Sequence, residues 1–262
     1  MVNVVFIHGL WIAHTAWQPW IDYFSSNGHP SVAPAWPGEA DTVEDTRARP
    51  AAQAGFGINA LTDHFARIVG QFETPPVAIG HSFGGLIAQK LLGENKVAAA
   101  VAIDPAPIKG VKPLPFAQLR SAFPVLGNPL NHRRAKALNR KQFRYGFGNA
   151  LTESESDSLW EQWSIPSPGK PLFEAAIANF ARNSPAKVDT ANTSRGPLLI
   201  TAGTADHTVP QVSVKAAFAL YAKSDAVTEL HEFDGRGHSL TIDHGWRDVA
   251  DVALKWLADV TR

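Results

Sequence analysis

The stretch Pro76–Leu92 puts the tightest constraint on what this chain can fold into. A short apolar run, Pro-Val-Ala-Ile, leads into Gly80-His81-Ser82-Phe83-Gly84, then Gly85, and the helix-period run Leu86–Leu92 begins at once. A serine on a sharp strand-to-helix turn is exposed at the end of its strand, and the flanking glycines have a steric reason. Side chains at those positions would collide with the neighbouring strand and helix. Gly-x-Ser-x-Gly alone is a weak signal, and a Gly-rich turn with a capping serine is the competing reading. The strand before it and the helix after it favour the strained turn.

The rest of the chain repeats the same alternation. Short β-branched runs recur at Val2–Ile7, Ser31–Trp36, Pro76–Gly80, Val97–Ile103, Leu198–Ala202 and Thr228–Phe233. Several are nearly continuous in apolar residues, as parallel strands covered on both faces must be. Between them Ala60–Phe72, Gly84–Leu92, Val212–Tyr221 and Trp246–Val260 carry apolar residues at helical spacing. The expected fold is α/β: a doubly wound, mostly parallel sheet of about six strands. From about Pro105 to Arg195 the strand signals vanish while Pro, Phe, Trp and basic residues accumulate. This predicts a core of residues 1–104 and 196–262 with a helical cap, residues 105–195, inserted over the carboxyl edge of the sheet, where open α/β sheets hold ligands.

A serine hydroxyl needs a base within hydrogen-bonding reach to act as a nucleophile at neutral pH. Of ten histidines, His238 in Gly235-Arg236-Gly237-His238-Ser239 follows the last strand and precedes the last helix. That is where the chain order Ser…Asp…His puts the base. Asp206 follows the strand Leu198–Ala202 on the same edge, suited to orient the imidazole. Two alternatives stay open: Asp104, which ends the preceding strand, could reach the same histidine, and Asp206 could merely cap the helix after Val209. An oxyanion needs fixed backbone N–H donors. Phe83, after the serine, and Leu10, in the loop His8-Gly9-Leu10-Trp11, are the expected pair.

Taken in order, Val4-Val5-Phe6-Ile7-His8-Gly9, the turn Gly80–Gly84, Gly203-x-x-Asp206 and Gly237-His238 resemble the α/β-hydrolase superfamily nearly end to end. The opening Ile7-His8-Gly9-Leu10-Trp11, with Trp17, is similar to small esterases and hydroxynitrile lyases. Gly203–Pro210 is similar to cofactor-free haloperoxidases and esterases. The resemblance implies that Ser82, Asp206 and His238 form a catalytic triad, with Leu10 and Phe83 at the oxyanion. It also implies that the first hairpin of the family's eight-stranded sheet is missing. The activity expected is cleavage of a small, largely apolar ester, lactone or amide. The alternatives are a lyase or cofactor-free oxygenase on the same scaffold, or a non-hydrolytic binding protein that keeps the pocket. Ser82 argues against the epoxide hydrolases and haloalkane dehalogenases, which carry Asp at the turn.

Composition narrows the partners. Lys+Arg and Asp+Glu are both 24, so no global field draws nucleic acid or an anionic membrane, and a small-molecule substrate fits better. The absence of cysteine excludes disulfides, thiolate metal sites and a Cys nucleophile. No cofactor is expected: no Gly-x-Gly-x-x-Gly follows a strand. No metal is expected either, because Asp206, His207 and His238 lack a fourth converging ligand. With no signal-like leader and no apolar run long enough for a span, a cytoplasmic location is expected; the oligomeric state is open. Trp11, Trp36, Phe143, Phe147, Trp160 and Trp163 are the candidate pocket aromatics, with packing as the alternative for Trp11 and Trp36 and the cap's own core as the alternative for the other four. The run His132–Arg144, with six Lys/Arg and no acid, reads as a solvated helix face, with acidic substrates or lipid head groups as the alternative.

Overall fold

The structure is a computed structural model that describes residues 1–260. Eight strands follow one another along the chain: β1 (Val4–Ile7), β2 (Ser31–Val32), β3 (Val77–His81), β4 (Ala99–Ile103), β5 (Ala135–Lys136), β6 (Ser167–Pro168), β7 (Leu198–Gly203) and β8 (Thr228–Phe233). Six of them build one sheet in the order β2-β1-β3-β4-β7-β8, every pair parallel. The expected doubly wound α/β sheet is thus present, with strands buried along their whole length at its centre and the more exposed β2 and β8 at its edges. Only Ser31–Val32 of the expected strand Ser31–Trp36 pairs with β1. Pro34 has no N–H to give to a ladder, and the chain leaves the sheet before reaching it.

Side-chain alternation divides the core into two layers. Val5, Ile7, Ala78, Ala100, Ala102, Leu198 and Ile200 face the helices Ile58–Val69, Phe83–Gly93 and Gln211–Ala219. Their neighbours in sequence, Val4, Phe6, Val77, Ile79, Val101, Ile103 and Leu199, face the helices Gln18–Ser26 and Trp246–Val260. Period-two alternation on a sheet covered on both faces requires this split. Helix Gln18–Ser26 was not among the expected elements, although Trp17, Trp20 and Phe24 have helical spacing and Pro19 suits a first turn. Trp17 stacks on Phe6 at 4.9 Å between ring centroids, and Trp20 meets Phe6 edge-on at 5.9 Å.

The central helix Phe83–Gly93 lies unusually close to the sheet. A Cβ on Gly84 would stand 2.0 Å from the Ile7 carbonyl oxygen, and one on Gly80 would stand 2.1 Å from the Gly84 carbonyl oxygen. The chain between β4 and β7 adds no strand to the six-stranded sheet. It forms the helices Phe116–Leu126, Arg140–Gly146, Glu153–Trp163 and Lys170–Ala176. It also holds the antiparallel ribbon β5–β6, which the sequence did not lead us to expect. No helix among the described residues is long and apolar enough to cross a membrane.

Gly84→Ala is expected to cost more than about 3 kcal/mol of folding stability, because the methyl group meets backbone rather than a movable side chain. Urea unfolding of the two proteins checks this; a cost below about 1 kcal/mol would mean that the helix can withdraw from β1.

Candidate active site

The residues singled out by the sequence gather at the carboxyl ends of adjacent strands: Ser82 after β3, Asp104 after β4, Asp206 after β7 and His238 after β8. Ser82 is held at φ +57° and ψ −120°, a left-handed conformation that side-chain-bearing residues adopt only when their surroundings enforce it. Three hydrogen bonds do so. The Ser82 N–H donates to Ile103 O at 2.9 Å, and its carbonyl accepts from Leu86 N at 3.1 Å and Ala106 N at 2.9 Å. Gly9 lies against this turn: a Cβ there would be 2.7 Å from Ser82 Cβ and 3.3 Å from its Oγ. The N–H groups of Leu10 and Phe83 have no acceptor among the described residues. They are free backbone donors flanking the serine.

His238 is fully buried, and its Nδ1 lies 2.6 Å from Asp206 Oδ2. Its Nε2 has no hydrogen-bond partner among the described residues. The ring is boxed by Phe147, edge-on at 4.8 Å, and by His81 at 4.5 Å. Burial and the neighbouring His238 hold His81 well below the ordinary histidine range, so it stays neutral beside the His238–Asp206 pair. Asp206 does the two jobs that sequence reading had set against each other. Oδ2 faces His238, while Oδ1 accepts from Thr208 N at 2.6 Å and Val209 N at 2.9 Å.

Asp104 is also fully buried, at φ +41°, and takes the Gly203 N–H on Oδ1 at 2.8 Å. Its carboxyl converges with those of Asp206 and the His238 ring, each contributing one atom within 4.8 Å of the others. Two buried carboxyls this close do not both ionise. Burial and the adjacent Asp206 push Asp104 well above the carboxylate range. Burial also opposes charge on Asp206, but His238 and the hydrogen bonds it accepts outweigh that and hold it below its ordinary value. Asp206 is therefore the carboxylate and Asp104 the neutral acid. These three groups could be metal ligands by count, and the 2.6 Å contact between His238 Nδ1 and Asp206 Oδ2 is the hydrogen bond that joins two of them.

A second buried cluster stands behind the Gly9 loop, and sequence reading missed it. Glu39 accepts from His14 N at 2.8 Å and Trp36 N at 3.1 Å, with His8 Nε2 and His14 Nδ1 each 2.9 Å from its oxygens. Burial works against its charge, but His8 and His14 overcome that and draw Glu39 far below the usual carboxylate range. The signal available was a lone acid in Pro37-Gly38-Glu39, three residues beyond Trp36.

A cavity of about 280 Å³ opens onto Ser82 and Phe83, with Trp11 and Val209 in its walls. Of the six aromatics expected there, Trp11 alone contributes. Trp36 stacks on His8 at 4.7 Å, behind the loop. Phe143 stacks on Phe147 at 4.9 Å, and both are buried beneath His238. Trp160 donates to Leu138 O at 2.8 Å under the Arg140 guanidinium. Trp163 accepts the Ala13 N–H through its carbonyl. Large rings fill the small interior of the segment between β4 and β7, as its helices need. The cavity walls come from slimmer residues of that segment, including Leu119, Leu172 and Ala175. Nothing in the 105–195 sequence distinguished those from ordinary helix positions. Trp11, at φ +68°, is fixed by its N–H to Ser167 Oγ at 2.7 Å and its indole N–H to Lys136 O at 3.0 Å.

Residues 4–252 match the sequence profile of the family described as the alpha/beta hydrolase family. No curated protein matches the sequence. Among solved structures, an extracellular alpha/beta-hydrolase from a Paenibacillus species is similar at 18% identity and TM-score 0.70, over 97% of this chain and 98% of that one. That protein shares structural and functional homology with tobacco salicylic acid binding protein 2. A bromoperoxidase from Bacillus anthracis aligns with TM-score 0.70 and 18% identity, over 98% and 92% of the two chains. A monoacylglycerol lipase from Paleococcus ferrophilus aligns with 0.67 and 19%, over 98% and 94%.

Glu39 yields a pH-dependent prediction. Its pKa is lowered on folding, so the stability it adds is full above its ordinary value of 4.5 and is lost as pH falls below that. Glu39→Gln should cost on the order of 2 kcal/mol at pH 6, and the gap to wild type should shrink by pH 3. Urea unfolding at the two pH values tests this; a constant gap would detach the effect from the charge.

Proposed function

The chain belongs to the alpha/beta hydrolase family, and from that premise we propose that it is a serine hydrolase acting on a small, largely apolar ester, lactone or amide through an acyl-enzyme on Ser82. Support comes above all from one observation: a serine in an enforced left-handed turn borders the cavity at the same sheet edge to which β7 and β8 bring a buried Asp206–His238 pair whose Nε2 has no partner among the described residues.

In this reading Ser82 Oγ attacks the carbonyl carbon while His238 Nε2 takes its proton. Asp206 stays ionised; it holds the Nδ1 proton side of the ring and stabilises the imidazolium as it forms. The Leu10 and Phe83 N–H groups donate to the oxyanion, an effect worth about 10²–10³ in rate for each donor. His238 then returns its proton to the leaving alcohol or amine, and water, activated by the same nitrogen, releases the acid. Asp104 takes no part in proton transfer. Its carboxyl lies against that of Asp206, and its Oδ1 holds the Gly203 N–H, which braces the site from behind. Residues 105–195 form a lid over the core of residues 1–104 and 196–262, and Leu119, Leu172 and Ala175 set how large an acyl or alcohol group fits.

Ser82→Ala should keep its fold, lose labelling by a fluorophosphonate and drop kcat on short p-nitrophenyl esters by on the order of 10⁴. Turnover within a few-fold of wild type would remove Ser82 from the mechanism.

The two acids separate cleanly. Asp206→Asn should cost on the order of 10³–10⁴ in kcat, because the amide presents the wrong partner to the ring. Asp104→Asn keeps an oxygen for Gly203 and a donor for Asp206, so kcat should change by less than about tenfold. It should also be the more stable protein at pH 7. The raised pKa of Asp104 means that only the unfolded chain gains by ionising above pH 3.8, a drain on stability that Asn lacks. The reverse ranking in kcat would assign the orienting role to Asp104.

A further inference from the structure

The zero net charge of the chain conceals an uneven distribution. Between residues 105 and 152 there are nine Lys/Arg and no Asp or Glu. Arg140 and Arg144 are answered by Asp157, Glu153 and Glu161. Lys112 and Arg120 are exposed and have no ion-pair partner among the described residues, and the same holds for Arg182 farther along. Arg120 lies over the Tyr145 ring at 4.0 Å, which leaves its charge facing solvent.

The same part of the chain exposes large apolar side chains. Phe180 is 91% exposed, Phe116 76% and Phe123 70%, with Leu114, Leu119 and Ile177 also exposed. They are not scattered. Leu114, Leu119 and Phe180 line the rim of the Ser82 cavity. Phe116, Leu119 and Phe123 follow at i, i+3 and i+7 on the helix Phe116–Leu126, which buries Ser121 and Val125 on its opposite side. An apolar ring around a cavity mouth, bordered by unpaired cations, marks an interaction surface rather than ordinary surface variation.

We propose that this face docks on an anionic lipid surface, from which the Ser82 site draws an amphiphilic ester. The second half of that statement rests on the serine-hydrolase reading; the first half does not. Aromatic and aliphatic side chains inserted at the headgroup level, with Lys and Arg at the phosphates, are what such a surface recognises. Each cation held within a Debye length of it adds about a fivefold gain in partitioning. A second copy of the chain fits the face less well. A two-fold contact sets a patch against itself, so Lys112, Arg120 and Arg182 would confront their own copies. The acid nearest in sequence on the rim elements, Glu174, faces the other way, accepting the Ile58 N–H at 2.7 Å.

Cosedimentation with vesicles tests the docking without any use of catalysis. The chain should bind equimolar phosphatidylcholine–phosphatidylglycerol vesicles at least about tenfold more strongly than phosphatidylcholine alone, and the difference should fade at high salt. The double variant Phe116→Ser/Phe123→Ser should bind at least about tenfold more weakly. Arg120→Gln/Arg182→Gln should approach the neutral-vesicle value. None of these four residues lines the cavity, so each variant should keep the wild-type melting temperature and its turnover of a soluble short ester. Absence of binding to anionic vesicles would overturn the proposal. So would binding that the Phe variant leaves unchanged, or a dimer in sedimentation equilibrium that the Phe variant dissociates, since the face would then be covered by a second copy. Vesicle binding with no ester turnover would instead retain the docking surface and remove the serine-hydrolase reading.

Discussion

The contact between the helix Phe83–Gly93 and the backbone of β1 leaves no room for a side chain at residue 84, and that closeness is what forces Ser82 out of ordinary φ/ψ space. The cost of a left-handed serine is of order 1–3 kcal/mol. It is offset locally by three backbone hydrogen bonds to β4, to the following helix turn and to Ala106. Because Ser82 is pinned to β4 and touches Gly9 at the end of β1, the nucleophile candidate, the loop with the free Leu10 N–H and the chain at Ala106 are positioned by one packing event. The sheet order β1-β3-β4-β7-β8 then delivers Asp206 and His238 to the same edge without any long loop.

Burial of charge organises the rest of the site. Three of the buried carboxyls near the sheet edge, Glu39, Asp104 and Asp206, resolve their cost in two ways. Glu39 and Asp206 stay ionised because histidines and backbone N–H groups face them. Asp104 gives up its charge instead. A neutral Asp104 lets one negative charge, rather than two, sit beside His238. The same group leaves the native state less favoured at pH 7 than an amide would, so stability is surrendered at the place where the electrostatics of the site are set.

Much of this was legible in the sequence because the decisive signals are local. Gly80–Gly84 between a strand and a helix, and Gly237-His238 after the last strand, mark positions by steric need, and the central strands announce themselves by apolar continuity. Asp206 was legible as the residue placed to orient His238, with helix capping as the competing reading. Capping Val209 and orienting His238 looked like alternatives, and only coordinates reveal that its two oxygens do one each. The Glu39 cluster and the Asp104–Asp206 contact were hidden for a different reason. They join residues from separate strands, 25 to about 100 positions apart, through side chains whose spacing carries no period. Strand β2 was overread because its apolar run continues past Pro34, a residue that pairing cannot tolerate.

The segment between β4 and β7 misled for a physical reason that bears on what it does. Its most conspicuous residues, Phe143, Phe147 and Trp160, are the ones a four-helix insertion of this size must bury to hold together, so they are spent on its own interior and on bracing His238. What remains for the outer face is the complement of that choice. Phe116, Phe123 and Phe180 stand in solvent although burying each would be favourable by about 1.5–3 kcal/mol. Nothing in the adjacent sequence blocks a more polar residue at these positions, and the cations beside them have no acids to answer. An apolar face at the mouth of the cavity, bordered by unpaired cations, is the surface that the proposed docking on an anionic lipid surface would cover.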